Sequence, residues 1–343
     1  MKSKSAVVLV NVGTPDNPGV PAVRRYLREF LGDHRVIDLP WASRKILVNL
    51  IIVPFRAPRS AALYRKLWTE KGSPLLVIQE SLRLRLAASL NGSADVYSAM
   101  RYGSPSLYDI LGDISIKKYG RVIVVPLYPQ YASSTTGSVE DVVEGFIRRQ
   151  NSKMEVVTAS PFYNHPGFID SFAVRMEASD YRDYDHILFS YHGLPLSHLR
   201  KIHPAVDPLQ CECERRMPEH GLNCYRAQCY ETTRLLEQRL NLKSDQYSVA
   251  FQSRLTRNWL TPFADETVKK LAGDGVKRLL VVAPSFVADC LETIIEIGEE
   301  YRDMFIASGG EELTLVPGLN DSDRWVEALA GIAMDSLGAA EKT

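Results

Sequence analysis

The stretch VIVVPLYPQYASSTTGSVEDVVEGF, residues 122–146, determines the fold class. It reads as a buried β-strand, a turn that contains proline, and then an amphipathic helix. LLVVAPSFVADCLETIIEIGEEY, residues 279–301, repeats this order of elements. Strands that are apolar almost throughout and alternate with helices are typical of parallel sheets covered on both faces. The two stretches therefore predict two similar α/β halves with a doubly wound architecture.

The same alternation of short β-branched runs and longer amphipathic segments extends along the whole chain. The runs that we predict to be strands are AVVLVNVG (6–13), RVIDL (35–39), DVYSAMRY (95–102), RVIVVPLY (121–128), EVVTAS (155–160), HILFSYHG (186–193), YSVAFQS (247–253), RLLVVAPS (278–285) and LTLVPG (313–318). The predicted helices are PAVRRYLREFL (21–31), PSLYDILGDI (105–114), VEDVVEGFIRR (139–149), DETVKKLA (265–272), CLETIIEIGEEYRDMF (290–305) and SDRWVEALAGIAMDSL (322–337).

A chain of 343 residues is long enough for two domains. We predict an N-terminal domain over residues 1–163, with residues 320–343 as a closing helix that packs back on it. The C-terminal domain covers residues 164–319 and includes a cysteine-rich insertion at 204–230. Open α/β sheets bind ligands at the carboxyl ends of their strands, so candidate functional residues are expected there.

The composition indicates a globular protein without a nucleic-acid partner. Lys+Arg and Asp+Glu both number 41, so no net charge draws the chain onto nucleic acid. The apolar run near the N-terminus is read as a strand, because no A-x-A-like cleavage site follows it. No apolar run is expected to approach the ~20 residues of a spanning helix. The longest, residues 46–55, should end at Pro54. These features predict a cytoplasmic protein.

A histidine stands at the end of one predicted strand. In FSYHGLP, residues 189–195, the apolar strand runs into a Gly-Pro turn directly after His192. Its ring is therefore expected to point toward a ligand site at the strand ends. A histidine that only caps the strand is an equally good interpretation of this segment alone.

An acidic stripe follows the last long predicted strand. Glu292, Glu296 and Glu300 are four residues apart and share one helix face with Asp289. An ordinary solvated face of an amphipathic helix is the simplest interpretation. However, like charges four residues apart destabilise a helix slightly, and no basic residue relieves the stripe before Arg302. A row of carboxylates that passes cations or protons is the functional alternative.

The segment WASRKILVNLIIVPF, residues 41–55, has only a thin polar face, formed by Arg44, Lys45 and Asn49. It could be a core helix. It could also be a lip that holds a large flat apolar ligand or enters a membrane surface.

The stretch CECERRMPEHGLNCYRAQCY, residues 211–230, contains Cys211, Cys213, Cys224 and Cys229, four of the five cysteines in the chain. Thiols stay reduced in the cytoplasm, where clustered cysteines bind metal or act in redox chemistry more often than they form structural disulfides.

Together these segments resemble the ferrochelatases, the enzymes that insert ferrous iron into a porphyrin. The resemblance covers most of the chain, and it is carried by LVNVGTP (9–15), the Tyr64 to GSP segment (64–74), YPQYASSTTGS (128–138), FSYHGLP (189–195), FQSRLTRNWLTP (251–262) and SFVADCLETIIEI (285–297). It implies two Rossmann-like, chelatase-type domains whose parallel sheets face a central porphyrin cleft. The implied activity is insertion of Fe²⁺ into protoporphyrin IX, with release of two protons, in the last step of haem biosynthesis.

The resemblance also assigns roles to individual residues. His192 and Glu292 fall on the family's catalytic histidine and glutamate. Imidazole and carboxylate can each accept a pyrrole proton, and both can bind Fe²⁺. Glu296, Glu300 and Asp289 would then form a path for metal or protons.

Porphyrin contacts are carried over in the same way, residue by residue. The candidates are Arg56, Tyr64, Ser73, Arg101, Tyr128 and Trp259. Of these, Arg56 and Arg101 are expected to pair with propionates, because guanidinium binds carboxylate through two hydrogen bonds.

Some ferrochelatases carry a [2Fe–2S] cluster, which requires four thiolates. The resemblance therefore implies a cluster on Cys211, Cys213, Cys224 and Cys229. A structural Zn²⁺ is the alternative, although zinc sites more usually contain C-x₂₋₄-C pairs than C-x-C. No bound metal is the third possibility.

Other functions remain open at this point. A coproporphyrin ferrochelatase should have more basic residues near its substrate, and the apolar 41–55 segment favours protoporphyrin. A cobalt chelatase and a non-enzymatic haem or metal carrier with two lobes are further alternatives. The expected partners are protoporphyrin IX, Fe²⁺ and the inner face of a membrane, contacted peripherally through residues 41–55. The sequence does not decide between a monomer and a homodimer.

Overall fold

A computed structural model describes residues 4–117, 119–150, 154–202 and 207–339. The chain divides into two compact units, and each is described by itself. Unit 1 comprises Met1–Tyr128, Ala132–Pro161 and Asp321–Thr343, and unit 2 comprises Pro129–Tyr131 and Phe162–Asn320.

Each unit contains a four-stranded parallel sheet. The strands are β1 (Ser5–Gly13), β2 (Ala94–Tyr102), β3 (Arg121–Pro126), β4 (Glu155–Thr158), β5 (His186–His192), β6 (Tyr247–Gln252), β7 (Arg278–Val282) and β8 (Glu312–Leu315). The strand order is β2-β1-β3-β4 in unit 1 and β6-β5-β7-β8 in unit 2, and all pairs are parallel. Both sheets thus share one topology, which confirms the predicted pair of similar α/β halves.

Helices connect the strands. The α-helices are α1 (Val20–Gly32), α2 (Trp41–Ile46), α3 (Val53–Leu67), α4 (Pro74–Ser89), α5 (Leu107–Ile116), α6 (Ser138–Gln150), α7 (Pro166–Glu177), α8 (Leu196–Ile202), α9 (Tyr225–Leu240), α10 (Ala264–Gly273), α11 (Arg302–Ala307) and α12 (Asp323–Ala339). Three further stretches are π-helical: Leu47–Ile52, Ser133–Gly137 and Glu292–Tyr301. Residues 340–343 of the predicted closing helix lie outside the described residues.

The core of each unit lies between its sheet and the covering helices. In unit 1, Val8 and Val124 are completely buried and pack in one cluster with Phe146 of α6. In unit 2, Leu188 and Val281 of the central strands pack in one cluster with Phe305 of α11. Removing such side chains from water supplies about 1.5–3 kcal/mol each, so these clusters hold the strand ends in place.

Residues 35–39 do not form the strand that their β-branched residues predicted. They form a series of turns in which the Ile37 N–H donates to the Asp33 carbonyl at 3.0 Å. Arg35 reaches across to α6 and pairs with Asp141 through two hydrogen bonds. The β propensity of Val36 and Ile37 is a weak preference, and it is outweighed by this partly buried ion pair with a residue that is distant in sequence.

Pro54 does not end the helix that begins at Trp41, contrary to the prediction. Helical backbone runs from α2 through the π-helical stretch into α3, and Pro54 lies at the start of α3. Proline is accepted there because it lies at the junction where the π-helical stretch ends: the Val53 N–H before it still bonds to the Val48 carbonyl, and the helix continues without a donor at Pro54. The resulting helical segment Trp41–Leu67 has 27 residues and is long and apolar enough to span a membrane. The expectation that no apolar segment reaches that length is therefore wrong.

Candidate active site

His192 is the last residue of β5, the central strand at which the strand order of unit 2 reverses. Its ring is partly buried between Trp259 and Phe286, with ring centroids 6.4 and 6.2 Å away. Nδ1 lies 2.7 Å from the Gly193 carbonyl oxygen. Because a carbonyl can only accept, Nδ1 carries the proton in this arrangement and the lone pair belongs to Nε2. The histidine is thus prepared to accept a proton or a metal ion at Nε2.

Gly193 allows the chain to turn closely after the histidine. Its N–H donates to the Gln252 carbonyl oxygen at 2.8 Å. A Cβ on Gly193 would lie 2.7 Å from that same oxygen and 3.3 Å from the Trp259 ring. A larger residue would therefore push apart the strand end and the indole that flank His192. Trp259 and His192, which were both predicted from the sequence as site residues, are therefore neighbours in the structure.

Glu292 opens the π-helical stretch Glu292–Tyr301, in which backbone hydrogen bonds span five residues instead of four. π-Helical turns inside longer helices are frequent at functional sites. The Glu292 carboxylate is partly buried beside Cys290. Burial, and then the neighbouring Glu292 charge, raise the pKa of Cys290 well above its usual range. Cys290 therefore remains a neutral thiol beside the glutamate.

The Glu296 carboxylate accepts four hydrogen bonds, two at each of its oxygens. The donors are Gln252 Nε2 at 3.1 Å, Ser253 N at 2.8 Å, Ser253 Oγ at 2.6 Å and Tyr301 OH at 3.0 Å. Burial, and then Glu296, raise the pKa of Tyr301, so that its hydroxyl remains a donor. Glu296 thus fastens the middle of the π-helical stretch to the end of β6.

The other predicted members of the acidic path differ from one another. Asp289 accepts hydrogen bonds from Gly318 N at 3.1 Å and Asn320 Nδ2 at 2.7 Å, so it holds the loop before α12. Glu300 is exposed at the end of the π-helical stretch. Their assignment to a path for metal or protons stays a prediction.

The remaining candidates for porphyrin contact lie in unit 1. Arg56 is exposed on α3, and Tyr64 of the same helix is buried against Trp68, with ring centroids 6.5 Å apart. Ser73 precedes α4 and donates to Thr14 Oγ1 at 3.1 Å. Tyr128 follows β3, and burial raises the pKa of its hydroxyl. Their role in binding porphyrin stays a prediction.

Arg101 is engaged by a buried network that the sequence did not indicate. Its guanidinium donates to Asp33 Oδ2 at 2.6 Å and to Ser138 Oγ at 2.6 Å, and the Tyr102 hydroxyl donates to the same Asp33 oxygen at 2.8 Å. Burial opposes the charge of Asp33. The hydrogen bonds from Ser138 and the Arg35 N–H nevertheless lower its pKa. A propionate would therefore have to share Arg101 with Asp33.

Residues 204–206 of the cysteine-rich segment lie outside the described residues. The remainder of the segment packs onto the start of α9. Cys213, Cys224 and Cys229 are buried and Cys211 is half-buried. Burial, and then the neighbouring Cys211 and Cys224, raise the pKa of Cys213 to about 12. Arg226, buried beside it, acts in the opposite direction, with Nη1 2.7 Å from Cys213 Sγ.

The thiols thus affect one another electrostatically, but their side chains are not arranged as a ligand set. Among the residues that the structure describes, no three or more His, Cys, Asp or Glu side chains are grouped so that they could hold a metal ion.

Known proteins with a similar fold include chelatases. SirB from Bacillus subtilis, solved with Fe³⁺, matches with a TM-score of 0.55 and 11% sequence identity, covering 99% of this chain and 98% of that chain. The sirohydrochlorin chelatase SirB from Bacillus subtilis subspecies spizizenii, in complex with cobalt, gives 0.53 and 10%, covering 99% and 98%. At this level of identity the likeness concerns the fold alone.

Sequence comparisons are far closer. A relative from Coxiella burnetii (strain CbuG_Q212), named ferrochelatase, is 45% identical over 340 residues, covering 98% of this chain and 94% of the relative. Ferrochelatase from Opitutus terrae is 42% identical, covering 98% and 99%, and that from Pseudomonas aeruginosa (strain PAO1) is 42% identical, covering 96% and 97%. The ferrochelatase family model matches residues 4–337. The chain therefore belongs to the ferrochelatase family.

Proposed function

We propose that this chain inserts Fe²⁺ into protoporphyrin IX, with His192 and Glu292 as the residues that handle the departing protons. As a ferrochelatase the protein is a metal chelatase that acts in haem synthesis. The observation that carries the assignment of residues is the hydrogen bond from His192 Nδ1 to the Gly193 carbonyl, which leaves the Nε2 lone pair at the carboxyl end of β5.

The reaction requires two groups that accept protons. A free porphyrin has two pyrrole N–H groups, and both protons leave as the divalent cation enters. We infer that Nε2 of His192 takes a pyrrole proton, and that Glu292 takes a proton and passes it toward bulk water. Because Cys290 beside it stays neutral, Glu292 can receive a proton or a cation without competition from a thiolate.

Two enzyme alternatives and one carrier alternative are tested by the same assay. Purified protein should metallate protoporphyrin IX with Fe²⁺ in the absence of oxygen, and with Zn²⁺ as a convenient substitute. If kcat/KM were at least tenfold higher for coproporphyrin III than for protoporphyrin IX, the protein would be a coproporphyrin ferrochelatase. If it were at least tenfold higher for Co²⁺ than for Fe²⁺, the protein would be a cobalt chelatase. Tight porphyrin binding without metallation would indicate a carrier.

We also propose that residues 41–55 form a peripheral membrane contact, which would hold the protein on the inner face of a membrane. Trp41, Leu50 and Phe55 are 64%, 69% and 75% exposed, and only 22% of the apolar window in this helix is buried. Lys45 lies over the Trp41 ring at 4.2 Å, which places a cation at the edge of the apolar surface. Apolar side chains flanked by basic ones are typical of helices that lie in a membrane interface.

Polar substitution of the exposed side chains tests this contact. Leu50→Gln and Ile51→Gln should each weaken binding to vesicles of mixed neutral and anionic phospholipid about tenfold, because each removes about 1.4 kcal/mol of apolar transfer. Leu84→Gln, at a side chain of α4 that is also exposed (55%), is the matched control and should have no effect. Equal vesicle binding by all variants would refute the membrane contact. A raised porphyrin KM would then assign the segment to the substrate.

We further propose that Cys211, Cys213, Cys224 and Cys229 hold a [2Fe–2S] cluster. The proposal is supported by the number of donors, since the four thiols that a cluster requires belong to one segment and a buried guanidinium contacts one sulfur; the segment would have to rearrange to bring the four sulfur atoms together. Cys224 is the N-cap residue of α9, where the backbone N–H groups of Ala227 and Arg226 favour a thiolate and partly offset the burial that raises its pKa, and Cys229 lies one turn further along the same helix. The cluster would crosslink the segment and contribute to its stability, because insertion of ferrous iron transfers no electrons.

The absorption spectrum distinguishes the cluster from its alternatives. Protein purified without oxygen should be reddish-brown and contain about two irons per chain. Replacing any of the four cysteines by serine should bleach it, whereas Cys290→Ser should leave the colour unchanged. Colourless protein with one zinc per chain would identify a structural zinc site. Protein with neither metal after anaerobic reconstitution with iron and sulfide would contradict both.

A further inference from the structure

Gln252, the last residue of β6, has a buried amide whose two ends contact two different parts of unit 2. Its side-chain oxygen accepts a hydrogen bond from Ser190 Oγ on β5 at 2.8 Å. Its Nε2 donates to the Glu292 backbone carbonyl at 3.3 Å and to Glu296 Oε2 at 3.1 Å. The residue is 1% exposed. A single side chain therefore joins the strand that ends in His192 to the helix that begins with Glu292.

The backbone of Gln252 strengthens this connection. Its carbonyl accepts the N–H of Gly193, the residue directly after His192, at 2.8 Å. Gln252 thus contacts the chain on both sides of His192. One contact is with Ser190, two residues before the histidine, and the other is with Gly193, the residue after it. The strand end that carries the imidazole is held on both sides.

The next residue, Ser253, shows how firmly the helix is held. Its φ is +61°, a left-handed conformation that is unfavourable for a non-glycine residue. In this conformation both its N–H and its hydroxyl donate to the Glu296 carboxylate, at 2.8 and 2.6 Å. Two hydrogen bonds from one residue to the same carboxylate thus maintain the strained backbone.

We propose that Gln252 is a positioning residue that fixes Glu292 relative to His192. The proposal rests on the function assigned above to these two residues. Gln252 acts on the backbone carbonyl of Glu292 and not on its carboxylate, so it sets the position of the residue and leaves the side chain available for chemistry. Displacement of a reacting group by about 1 Å can cost a hundredfold in rate, so a fixed distance between two proton acceptors matters for kcat.

Gln252→Met tests the proposal, because methionine has a similar size but neither donates nor accepts these hydrogen bonds. We expect kcat, normalised to the concentration of porphyrin-binding sites, to fall about 10- to 100-fold. The Kd for porphyrin should stay within about twofold. This separation of kcat from binding distinguishes positioning from a general loss of folded protein, which would lower both the active fraction and the number of binding sites.

Gln79→Met is the matched control. Gln79 is also 1% exposed, and its Nε2 joins two strands of unit 1 by donating to the Leu9 and Ala99 carbonyls, both at 3.1 Å. Its replacement should lower the Tm by a similar amount and leave normalised kcat unchanged. An equal and small effect of both variants on normalised kcat would overturn the proposal and leave Gln252 as an ordinary buried amide.

Ser190→Ala keeps the test decisive if Gln252→Met does not fold. It removes only the hydrogen bond on the β5 side and creates no large cavity, and it should lower normalised kcat about three- to tenfold. Wild-type kcat in Ser190→Ala would count against the proposal. If His192→Ala and Glu292→Gln were themselves active, the assigned function would fail instead, so the two failures are distinguishable.

Discussion

Replacing His192 by alanine is expected to lower kcat for metal insertion at least about a hundredfold, because general acid–base groups contribute 10²–10⁴-fold. The variant loses the Nε2 lone pair that the Nδ1 hydrogen bond to Gly193 exposes. Porphyrin binding, measured by fluorescence quenching, should be largely intact, since the remaining side chains around the substrate are unchanged. Insertion is best followed with Zn²⁺ by absorbance and confirmed anaerobically with Fe²⁺.

His186→Ala provides the control on the same strand. His186 lies at the opposite end of β5, where its Nε2 contacts Ser248 Oγ at 3.0 Å. Burial lowers the pKa of His186, so it is a neutral structural histidine. Its loss should reduce stability without a specific effect on kcat. If His192→Ala retains more than about a tenth of the wild-type kcat, a loss below ~1.4 kcal/mol, His192 is not the catalytic base.

Glu292→Gln should also lower kcat about a hundredfold or more, because glutamine keeps the size of the side chain but cannot accept a proton. The same change at Glu296 should reduce kcat less. Its larger effect should appear in denaturant unfolding, as a loss of about 1.5–3 kcal/mol, because the Glu296 carboxylate accepts four hydrogen bonds that a neutral amide cannot match.

Glu300→Gln completes the comparison along this acidic stripe. Glu300 is exposed. Its replacement should leave the free energy of unfolding unchanged and should change kcat by no more than about threefold. Equal and negligible effects of all three glutamine variants on kcat would favour a solvated acidic face over a path for protons or metal. The three variants are measured with saturating porphyrin, so that kcat reports on the insertion step.

Sequence patterns predicted most of the fold, and the exceptions have physical causes. The buried strands were identifiable because both faces of a parallel strand are apolar, as in AVVLVNVG and RLLVVAPS. The strand predicted at 35–39 was wrong because the ion pair between Arg35 and Asp141 joins residues 106 positions apart. The helix end predicted at Pro54 was wrong because the proline falls at the junction between the π-helical stretch and α3, where the helix continues without its N–H donor.

The sequence by itself determined the fold class, the family, and the positions of His192 and Glu292 at the ends of their elements. Local patterns and ordered motifs suffice for this, because each element buries its own apolar face. Only the tertiary structure decided which polar groups are already engaged: Arg101 with Asp33, and Glu296 with Gln252, Ser253 and Tyr301. Hydrogen bonds depend on the direction and distance of atoms brought together from separate elements, and a linear pattern does not contain that information.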